Sequence, residues 1–306
     1  MFLNGVEVEE TFAEAFPMYA TRFLITAKNK KWALTAARVA TGFATSIIMA
    51  PAEAGIEKLV SPNSTPDGRP GVLVHIYHRS IPELKFQTIV RIGQCVLTSP
   101  TSAVFDGLRK IKRKMKIGDA LSKFGDGFQY LEEKNGLKLW HIPVMEGEFI
   151  IEDAIGVKKA IAGGNLIIMA RDGESGLEAA EAAVSNIRKY CKNVVLPFPG
   201  GIVRSGSKVG SMKYPKLAAT TNHLLCPRLR NKVEGSLVPE GVNCVYEIVI
   251  NGLTFDDVLA AMGVGILAAS RVKGVVKITA ANFGGKLGPY KFNTSDSIEK
   301  ARDLFG

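Results

Sequence analysis

Cysteine and histidine are scarce in this chain, and neither falls into a spacing that binds metal. The four cysteines lie far apart with no CxxC pair, which favours reduced and mostly buried thiols over a disulfide framework or a zinc site. The four histidines form no HExxH motif or comparable ligand cluster. The sequence therefore predicts no metal.

Long apolar runs are also missing. No uninterrupted apolar stretch approaches the ~18 residues that a membrane-spanning helix requires. The first residues, MFLNGVEVEE, are acidic where a signal peptide would be basic and then apolar. A composition with 46% hydrophobic and 22% charged residues is typical of a globular protein. We therefore expect a cytoplasmic protein with no membrane partner.

Positive charge is in excess and is concentrated in one place. The formal net charge is +10 for 306 residues, and six of the basic residues lie in the run RKIKRKMK at 109–116. Such a run contacts nucleic acid or an anionic surface in some proteins and is simply a solvated face in others. No aromatic residue is interleaved to stack on bases, so nucleic acid is not the expected partner.

The chain contains an internal duplication. Three pairs of segments match in the same order, namely RFLITA (22–27) with NLIIMA (165–170), PAEAGI (51–56) with PFPGGI (197–202), and TSAVFDG (101–107) with TAANFGG (279–285). The clearest difference in chemistry between the copies lies on a strand. CVYEIVI (244–250) aligns with GVLVHIY (71–77), which places Glu247 opposite Val74.

Each copy is predicted to fold in the order βαββαβ, with two helices on one face of an antiparallel sheet. In the first copy we predict strands at 21–27, 43–50, 72–77 and near 97–105, helices at 29–41 and 81–96, and a loop at 51–70. In the second copy we predict strands at 165–170, 194–197, 245–250 and 275–278, and helices at 176–189 and 254–270. Leu177 is expected on the buried face of the first of these helices, and Thr254 is expected to cap the second.

The predicted fold class is therefore α+β, built as two duplicated ferredoxin-like α/β-sandwich lobes. We place the first lobe at 1–147 and the second at 148–306. The first lobe carries an insertion at about 106–147, which contains the basic run and a hairpin turning at Asn135-Gly136.

Glu247 is the most informative single residue. A buried carboxylate without a partner costs several kcal/mol, so a glutamate on an apolar strand must be paired, protonated or directed into a cleft. With a raised pKa it is suited to accept or donate a proton. The alternative is an edge-strand side chain that faces solvent.

Three loops offer groups that could bind anions. The loop FPGGIVRSGSKVGSMKY (198–214) combines glycine backbone N–H groups with lysines, which suits phosphate or carboxylate. It contains no P-loop motif, and mobile turn glycines are the alternative interpretation. The loop TPDGRPG (65–71) presents Arg69, and AANFGGKLG (280–288) presents Lys286, although both are also ordinary turn sequences.

Several of these segments together resemble the formylmethanofuran:tetrahydromethanopterin formyltransferase family. They are TPDGRPG (65–71), RIGQCVLTSPT (91–101), PFPGGIV (197–203), SKVGS (207–211), VYEIVINGL (245–253) and NFGGKLG (282–288). The resemblance runs from Asn4 to about Tyr290, which is nearly the whole chain.

The resemblance implies two ferredoxin-like lobes, a homotetramer, and no metal or prosthetic group. It also implies transfer of a formyl group between the amine of methanofuran and N5 of tetrahydromethanopterin, the two carrier co-substrates, in archaeal or methylotrophic one-carbon metabolism. Glu247 matches the family's strand glutamate and is the expected catalytic residue. The expected substrate-binding residues are those that suit anionic carriers and line the same motifs: Arg69, Gly200, Gly201, Ser207, Lys208, Asn282 and Lys286.

Some positions depart from the usual family sequence. Ala50 stands where cysteine is common, Ala281 where glycine is usual, and Arg204 at a typically small position. The lysine-rich insertion and the segment after Phe292 also differ, and family members are often acidic. The alternative function is therefore a catalytically inactive paralogue that acts as a scaffold or binds anions or nucleic acid.

Overall fold

The computed structural model describes residues 1–305, and these form six α-helices and seventeen strands. The helices are α1 (Lys30–Ala40), α2 (Ile81–Arg91), α3 (Gly118–Ser122), α4 (Gly173–Tyr190), α5 (Phe255–Ala269) and α6 (Thr294–Phe305). The strands are β1 (Phe2–Leu3), β2 (Val6–Val8), β3 (Phe12–Thr26), β4 (Glu53–Val60), β5 (Gly71–His78), β6 (Ala103–Asp106), β7 (Lys114–Lys116), β8 (Tyr130–Lys134), β9 (Leu137–Val144), β10 (Gly147–Glu152), β11 (Ala154–Ala170), β12 (Val194–Val195), β13 (Lys208–Val209), β14 (Ala219–Thr220), β15 (Cys244–Gly252), β16 (Val275–Thr279) and β17 (Tyr290–Asn293). The α+β class is confirmed.

The chain packs into two compact units. One unit, here called the inner unit, consists of residues 18–160. The other, here called the outer-segment unit, combines Met1–Pro17 with the residues from Ile161 onward. The outer-segment unit is discontinuous in sequence because β2 pairs in parallel with β16 and because β17 pairs with the start of β3.

The sheet of the inner unit has the strand order β4-β5-β3-β6-β10-β9-β8. All of these pairings are antiparallel except that of β6 with β10. Helix α1 begins where the Asn29 side chain accepts the Trp32 N–H, and it buries an alanine face against the sheet, as the sequence predicted. Helix α2 continues into a π-helical turn at Ile92–Val96, so the predicted helix at 81–96 is confirmed.

The predicted strand at 43–50 is wrong. Ser46 accepts the N–H groups of Met49 and Ala50 through its carbonyl, and the buried Glu53 carboxylate accepts the Ile47 N–H at 3.0 Å. These bonds close a turn, so the strand forms later, as β4 inside the predicted loop at 51–70. The hydrophobic run suggested a strand, but its backbone groups are satisfied locally.

The insertion contains the predicted hairpin. Strands β8 and β9 pair antiparallel around Asn135 and Gly136, which have φ values of 52° and 74°. Positive φ at both central residues is the conformation that Asn-Gly favours in a tight turn, so the hairpin is confirmed. Part of the basic run forms β7, and internal ion pairs hold two of its side chains: Arg109 contacts Glu152 at 3.1 Å, and Lys114 contacts Asp106.

The sheet of the outer-segment unit has the order β12-β15-β11-β16-β2-β1. Helices α4 and α5 pack on one face of it, and α6 packs against α5, around a shared core of buried apolar residues. Thr254 caps α5 by accepting the Asp257 N–H at 3.2 Å, as predicted. Leu177 is 41% exposed, so its predicted burial on α4 is wrong, and small alanines fill the buried face of that helix instead.

The strand registers correct the comparison between the two sequence copies. Ile167, which aligns with Leu24, pairs with Glu247, whereas Leu24 pairs with Leu73. The structural counterpart of Glu247 is therefore Leu73 and not Val74. A shift of one residue moves a side chain to the other face of a sheet, so this correction changes which surfaces correspond.

Candidate functional site

Glu247 lies in the interior of the outer-segment unit, on the sheet face opposite the helices. Its neighbours Ile248 and Ile250 belong to the core beneath the helices, whereas its cross-strand partner Ile167 belongs to a separate apolar cluster. Alternation along a strand puts Glu247 on the Ile167 side. Only 4% of Glu247 is exposed, which excludes the solvent-facing edge-strand interpretation.

The loop between β12 and β15 covers this face. Val203 donates its N–H to the Glu247 carbonyl at 2.7 Å and accepts the Glu247 N–H at 3.0 Å. Leu225, Val238 and Val242 pack beside Ile167 over the sheet. The loop therefore fixes the Glu247 backbone on the side away from β11 and shields its side chain from bulk water.

A small cavity of about 80 Å³ opens beside the Glu247 carboxyl. Its polar lining comes from the covering loop: Arg204, Ser205, Thr221, Asn222 and Cys226. The cavity is the size of a small polar group rather than of a whole coenzyme, so it suits a reacting centre at the end of a larger ligand.

The Glu247 carboxyl is buried and incompletely hydrogen-bonded. Its Oε2 atom and the Ser207 Oγ atom are both buried, and neither has a hydrogen-bond partner among the described residues. Burial raises the pKa of Glu247 to about 7, and the neighbouring Ser207 hydroxyl and backbone N–H oppose this rise. Ser207 lies beside the carboxyl without making a well-formed hydrogen bond to it.

The other predicted residues of the covering loop are Gly200 and Gly201, near its start, and Lys208, in its β13–β14 hairpin. Gly200 and Gly201 have φ values of 66° and 95°, and a Cβ on Gly201 would lie 3.0 Å from Leu196 Cδ1. Lys208 donates from Nζ to Thr220 Oγ1 at 3.1 Å across the β13–β14 pair. These residues position the loop, but they do not line the cavity.

Asn282 and Lys286 belong to the turn between β16 and β17. Asn282 Nδ2 donates to Thr11 Oγ1 at 3.0 Å and to the Phe12 carbonyl at 3.1 Å, so it anchors the turn. Lys286 is exposed. Glu14 is the residue that organises this turn, because its buried carboxylate accepts the N–H groups of four turn residues, namely Phe283, Gly285, Leu287 and Gly288.

The four N–H groups also fix the charge of Glu14. Burial by itself raises the pKa of this carboxyl, but the bonds from the four backbone N–H groups outweigh it, and the net shift is downward. Glu14 is therefore held as an acceptor, in contrast to Glu247.

Arg69 lies in the inner unit, where its guanidinium holds a turn together. Its Nη2 contacts Asp67 Oδ2 at 2.7 Å and donates to Thr26 Oγ1 at 3.2 Å, while Nη1 donates to the Thr101 carbonyl. The structure thus gives Arg69 local partners, and the residue belongs to a different unit from Glu247.

Sequence reasoning missed Ser205, Asn222 and Cys226 as cavity residues and Glu14 as the organiser of a turn. The three cavity residues stand in an irregular loop without periodicity. Glu14 contacts residues about 270 positions later, and the only sequence signal is an acidic residue between apolar residues at the start of β3. Arg204 also lines the cavity, and its departure from the family pattern does not by itself predict this position.

Residues 1–305 contain no group of three or more His, Cys, Asp or Glu side chains arranged to hold a metal ion. Within that same range, none of the helices has the length and apolar character of a membrane span.

Comparison with known proteins places nearly the whole chain in one family. Residues 1–144 match the family model described as formylmethanofuran-tetrahydromethanopterin formyltransferase, and residues 147–297 match the model described as FTR, proximal lobe. The formylmethanofuran–tetrahydromethanopterin formyltransferase of Methanocaldococcus jannaschii is 55% identical over 302 residues, which cover 98% of this chain and 100% of that protein.

Two solved structures resemble this one closely. The formylmethanofuran:tetrahydromethanopterin formyltransferase from Methanosarcina barkeri has a TM-score of 0.93 and 51% identity, over 97% of this chain and 100% of its own. The formyltransferase/hydrolase complex from Methylorubrum extorquens, in complex with methylofuran, contains a chain with a TM-score of 0.92 and 42% identity, over 97% of this chain and 98% of that one. The resemblance seen in the sequence motifs is confirmed: the chain belongs to the formylmethanofuran–tetrahydromethanopterin formyltransferase family.

Proposed function

We propose that this protein transfers a formyl group between formylmethanofuran and N5 of tetrahydromethanopterin. The observation that carries the proposal is the Glu247 carboxyl, which is buried, has an unpartnered oxygen and faces a cavity. It stands in a chain whose relatives bear the name of this activity over nearly their full length. The inactive-paralogue alternative gains no support from these comparisons.

The reaction exchanges one C–N bond for another. The N5 nitrogen of tetrahydromethanopterin attacks the formyl carbon, the carbonyl electrons move to oxygen, and a tetrahedral oxyanion forms. N5 then loses its proton, the bond between the formyl carbon and the methanofuran nitrogen breaks, and that nitrogen takes up a proton. The products are N5-formyltetrahydromethanopterin and the free amine of methanofuran, with no net proton change.

Glu247 is assigned the proton transfer between the two nitrogens. A general acid–base catalyst works best with a pKa near the working pH, and the pKa of Glu247 is raised to about 7 by burial. The carboxylate accepts the N5 proton, and the resulting acid returns it to the leaving nitrogen. The unpartnered Oε2 atom is the one assigned to this exchange.

The oxyanion requires hydrogen-bond donors fixed beforehand. We assign this role to the Ser207 hydroxyl, which is buried beside the carboxyl with no partner among residues 1–305, and to the Asn222 amide, which lines the cavity. Both stand on the loop that pairs with the Glu247 backbone, so the donors and the base are held by one segment.

The carriers bear carboxylate and phosphate groups, and exposed cations would attract them. Lys286 is exposed on the turn that Glu14 and Asn282 organise, and Lys208, which is partly buried, stands on the covering loop. The Arg69 side chain is 31% exposed beside its ion pair with Asp67, so its positive charge lies near the surface of the inner unit. The remaining assignments, Gly200 and Gly201, contribute backbone groups at left-handed positions near the loop entrance.

We also retain the architectural part of the hypothesis. Each unit contains four strands and two helices in the chain order βαββαβ. When the four strands are numbered along the chain, their order across the sheet is 4-1-3-2 in both units, namely β6-β3-β5-β4 and β16-β11-β15-β12. This shared order supports duplicated ferredoxin-like lobes. Lobes of 1–147 and 148–306 agree with family matches that end at 144 and begin at 147. A homotetramer in the cytoplasm, without a metal or prosthetic group and serving one-carbon metabolism, completes the proposal.

A spectrophotometric assay with both purified carriers tests this function. The wild-type protein should form N5-formyltetrahydromethanopterin, and Glu247→Gln should lower kcat by about 100-fold or more, as for loss of a general acid–base group. Glu240→Gln removes an exposed carboxyl in the same region and should leave kcat unchanged. A Glu247→Gln protein with wild-type kcat would overturn the role of Glu247, and no transfer by the folded wild-type protein would overturn the function.

A further inference from the structure

The inner unit contains an open cavity of about 730 Å³ on the sheet face away from α1 and α2. Its floor consists of aliphatic side chains, namely Leu24, Val60, Leu73 and Leu137. Leu24 is buried and pairs with Leu73 across β3 and β5. The residues at the centre of this floor pack with a small apolar cluster separate from the core under the helices.

This cavity corresponds to the Glu247 cavity of the other unit. In the inner unit, Leu24 pairs with Leu73 at the position where Ile167 pairs with Glu247 in the outer-segment unit. Both units therefore have a cavity at the same position on the same sheet face. The inner unit has leucine where the catalytic carboxyl would be, and its cavity is about 730 Å³ compared with about 80 Å³.

The rim of the larger cavity is cationic. Arg109 and Lys110 belong to the turn that follows β6, and both line the rim. Arg22 of β3 lines it as well. Lys110 is exposed and takes part in none of the ion pairs found among residues 1–305, and the Arg109 side chain keeps 42% exposure beside Glu152. These cations can therefore meet a ligand at the cavity mouth.

The acidic residue of the lining, Asp106, does not offset this charge. Its carboxylate accepts the N–H groups of Leu108 at 2.7 Å and Gly156 at 3.0 Å, and it pairs with Lys114. The Asp106 side chain has 0% exposure, so it presents no free oxygen to the cavity. A ligand would meet an apolar floor and a positive rim.

We propose that this cavity binds a small anion with a flat apolar body, such as an aromatic carboxylate, sulfonate or phosphate ester. The aliphatic floor would remove the ring from water, and the lysine and arginine would pair with the anionic group. The volume falls within the range of small-molecule sites in proteins, roughly 300–1,000 Å³. The site is independent of the formyl-transfer residues, because none of them lines it.

Fluorescence titration with 8-anilinonaphthalene-1-sulfonate tests the proposal, with N-phenyl-1-naphthylamine as the neutral ligand of the same shape. Lys110→Glu should weaken sulfonate binding by about tenfold, the effect of one lost charge-assisted contact, and should leave the neutral ligand within about twofold. Lys112→Glu is the matched control, because Lys112 belongs to the same basic run but does not line the cavity. It should change neither ligand.

A second variant tests the floor. Leu137→Trp should fill the cavity and weaken both ligands by about fivefold or more, with an unchanged circular dichroism spectrum. Equal losses in Lys110→Glu and Lys112→Glu would mean diffuse charge attraction and would overturn the site. Unchanged ligand binding in both Lys110→Glu and Leu137→Trp would also overturn the site. A changed sedimentation coefficient of the Lys110→Glu protein would overturn it as well, because it would identify a second copy of the chain as the occupant of the cavity.

Discussion

Glu247 holds a carboxyl inside the protein, and this placement makes stability depend on pH. Its pKa is raised from 4.5 to about 7 in the folded protein, so the folded state binds one more proton than the unfolded state between these values. The stabilising contribution of the protonated carboxyl is complete below pH ~4.5 and is lost as the pH rises through about 7. At about 1.36 kcal/mol per pKa unit, the loss is on the order of 3 kcal/mol.

Glu247→Gln should therefore stabilise the protein at high pH. Glutamine does not titrate, so only the wild-type protein loses stability as the pH rises. Between pH 4.5 and pH 8, the free energy of unfolding of the variant minus that of wild type should therefore increase by about 2–3 kcal/mol. Urea unfolding at the two pH values measures this difference, with Glu240→Gln as an exposed control. An equal effect of Glu247→Gln at both pH values would contradict a raised pKa.

The sequence identified Glu247 because a charged residue interrupts an apolar strand, and this signal is local. The partners of Glu247 could not be found in the same way. Ser205, Asn222 and Cys226 reach the cavity only because an irregular loop folds over the sheet. The sequence alignment of Glu247 with Val74 was wrong by one residue, because two short apolar strands match about equally well in neighbouring registers. The backbone pairing of β3 with β5 instead makes Leu73 the counterpart of Glu247.

At the scale of elements, the covering loop depends on two glycines with similar backbone angles and different surroundings. Gly206 has φ +72°, and a Cβ at this position would approach Asn222 Cβ to 2.6 Å. Gly210 has φ +74°, with no atom within 4 Å of an added Cβ. Alanine at either position carries the cost of a left-handed backbone, about 1–2 kcal/mol, but only at Gly206 does it also displace a cavity residue.

Gly206→Ala should therefore lower kcat at least about tenfold in the formyl-transfer assay, whereas Gly210→Ala should lower the melting temperature slightly and leave kcat near that of wild type. Kinetics and thermal unfolding of both variants distinguish steric displacement of Asn222 from backbone strain. Equal kcat values for the two variants would show that the position of Asn222 does not matter for turnover.

Elements with local signals were predicted well. Capped helices such as α1 and α5 follow from Asn29, Thr254 and the spacing of small apolar residues. The hairpin follows from Asn135-Gly136. Strand β4 was missed because its burial arises from pairing with β5 and because the preceding apolar run closes a turn on Ser46 and Glu53.

At the scale of the whole molecule, the packing units do not follow chain order. A parallel pairing joins Glu7 to Lys277, and Val8 to Ile278, so the N-terminal residues complete a sheet formed by strands from the second half of the chain. The local sequence around β2 does not predict this pairing, because the pairing depends on which strand edge is still unpaired after the rest of the sheet has formed.

This arrangement predicts where the effect of a core substitution is felt. Val8 has 0% exposure in the core that includes α5 and α6, so Val8→Ala should cost about 2 kcal/mol and should raise amide hydrogen exchange in β16 and α6. Val72 has 0% exposure in the core of the inner unit, and Val72→Ala should raise exchange in β3, β4 and α1 by a comparable amount. Hydrogen-exchange mass spectrometry of both variants compares the two patterns directly. If Val8→Ala instead loosened mainly residues 18–160, the N-terminal segment would belong energetically to the unit that follows it in sequence, and the discontinuous unit would be wrong.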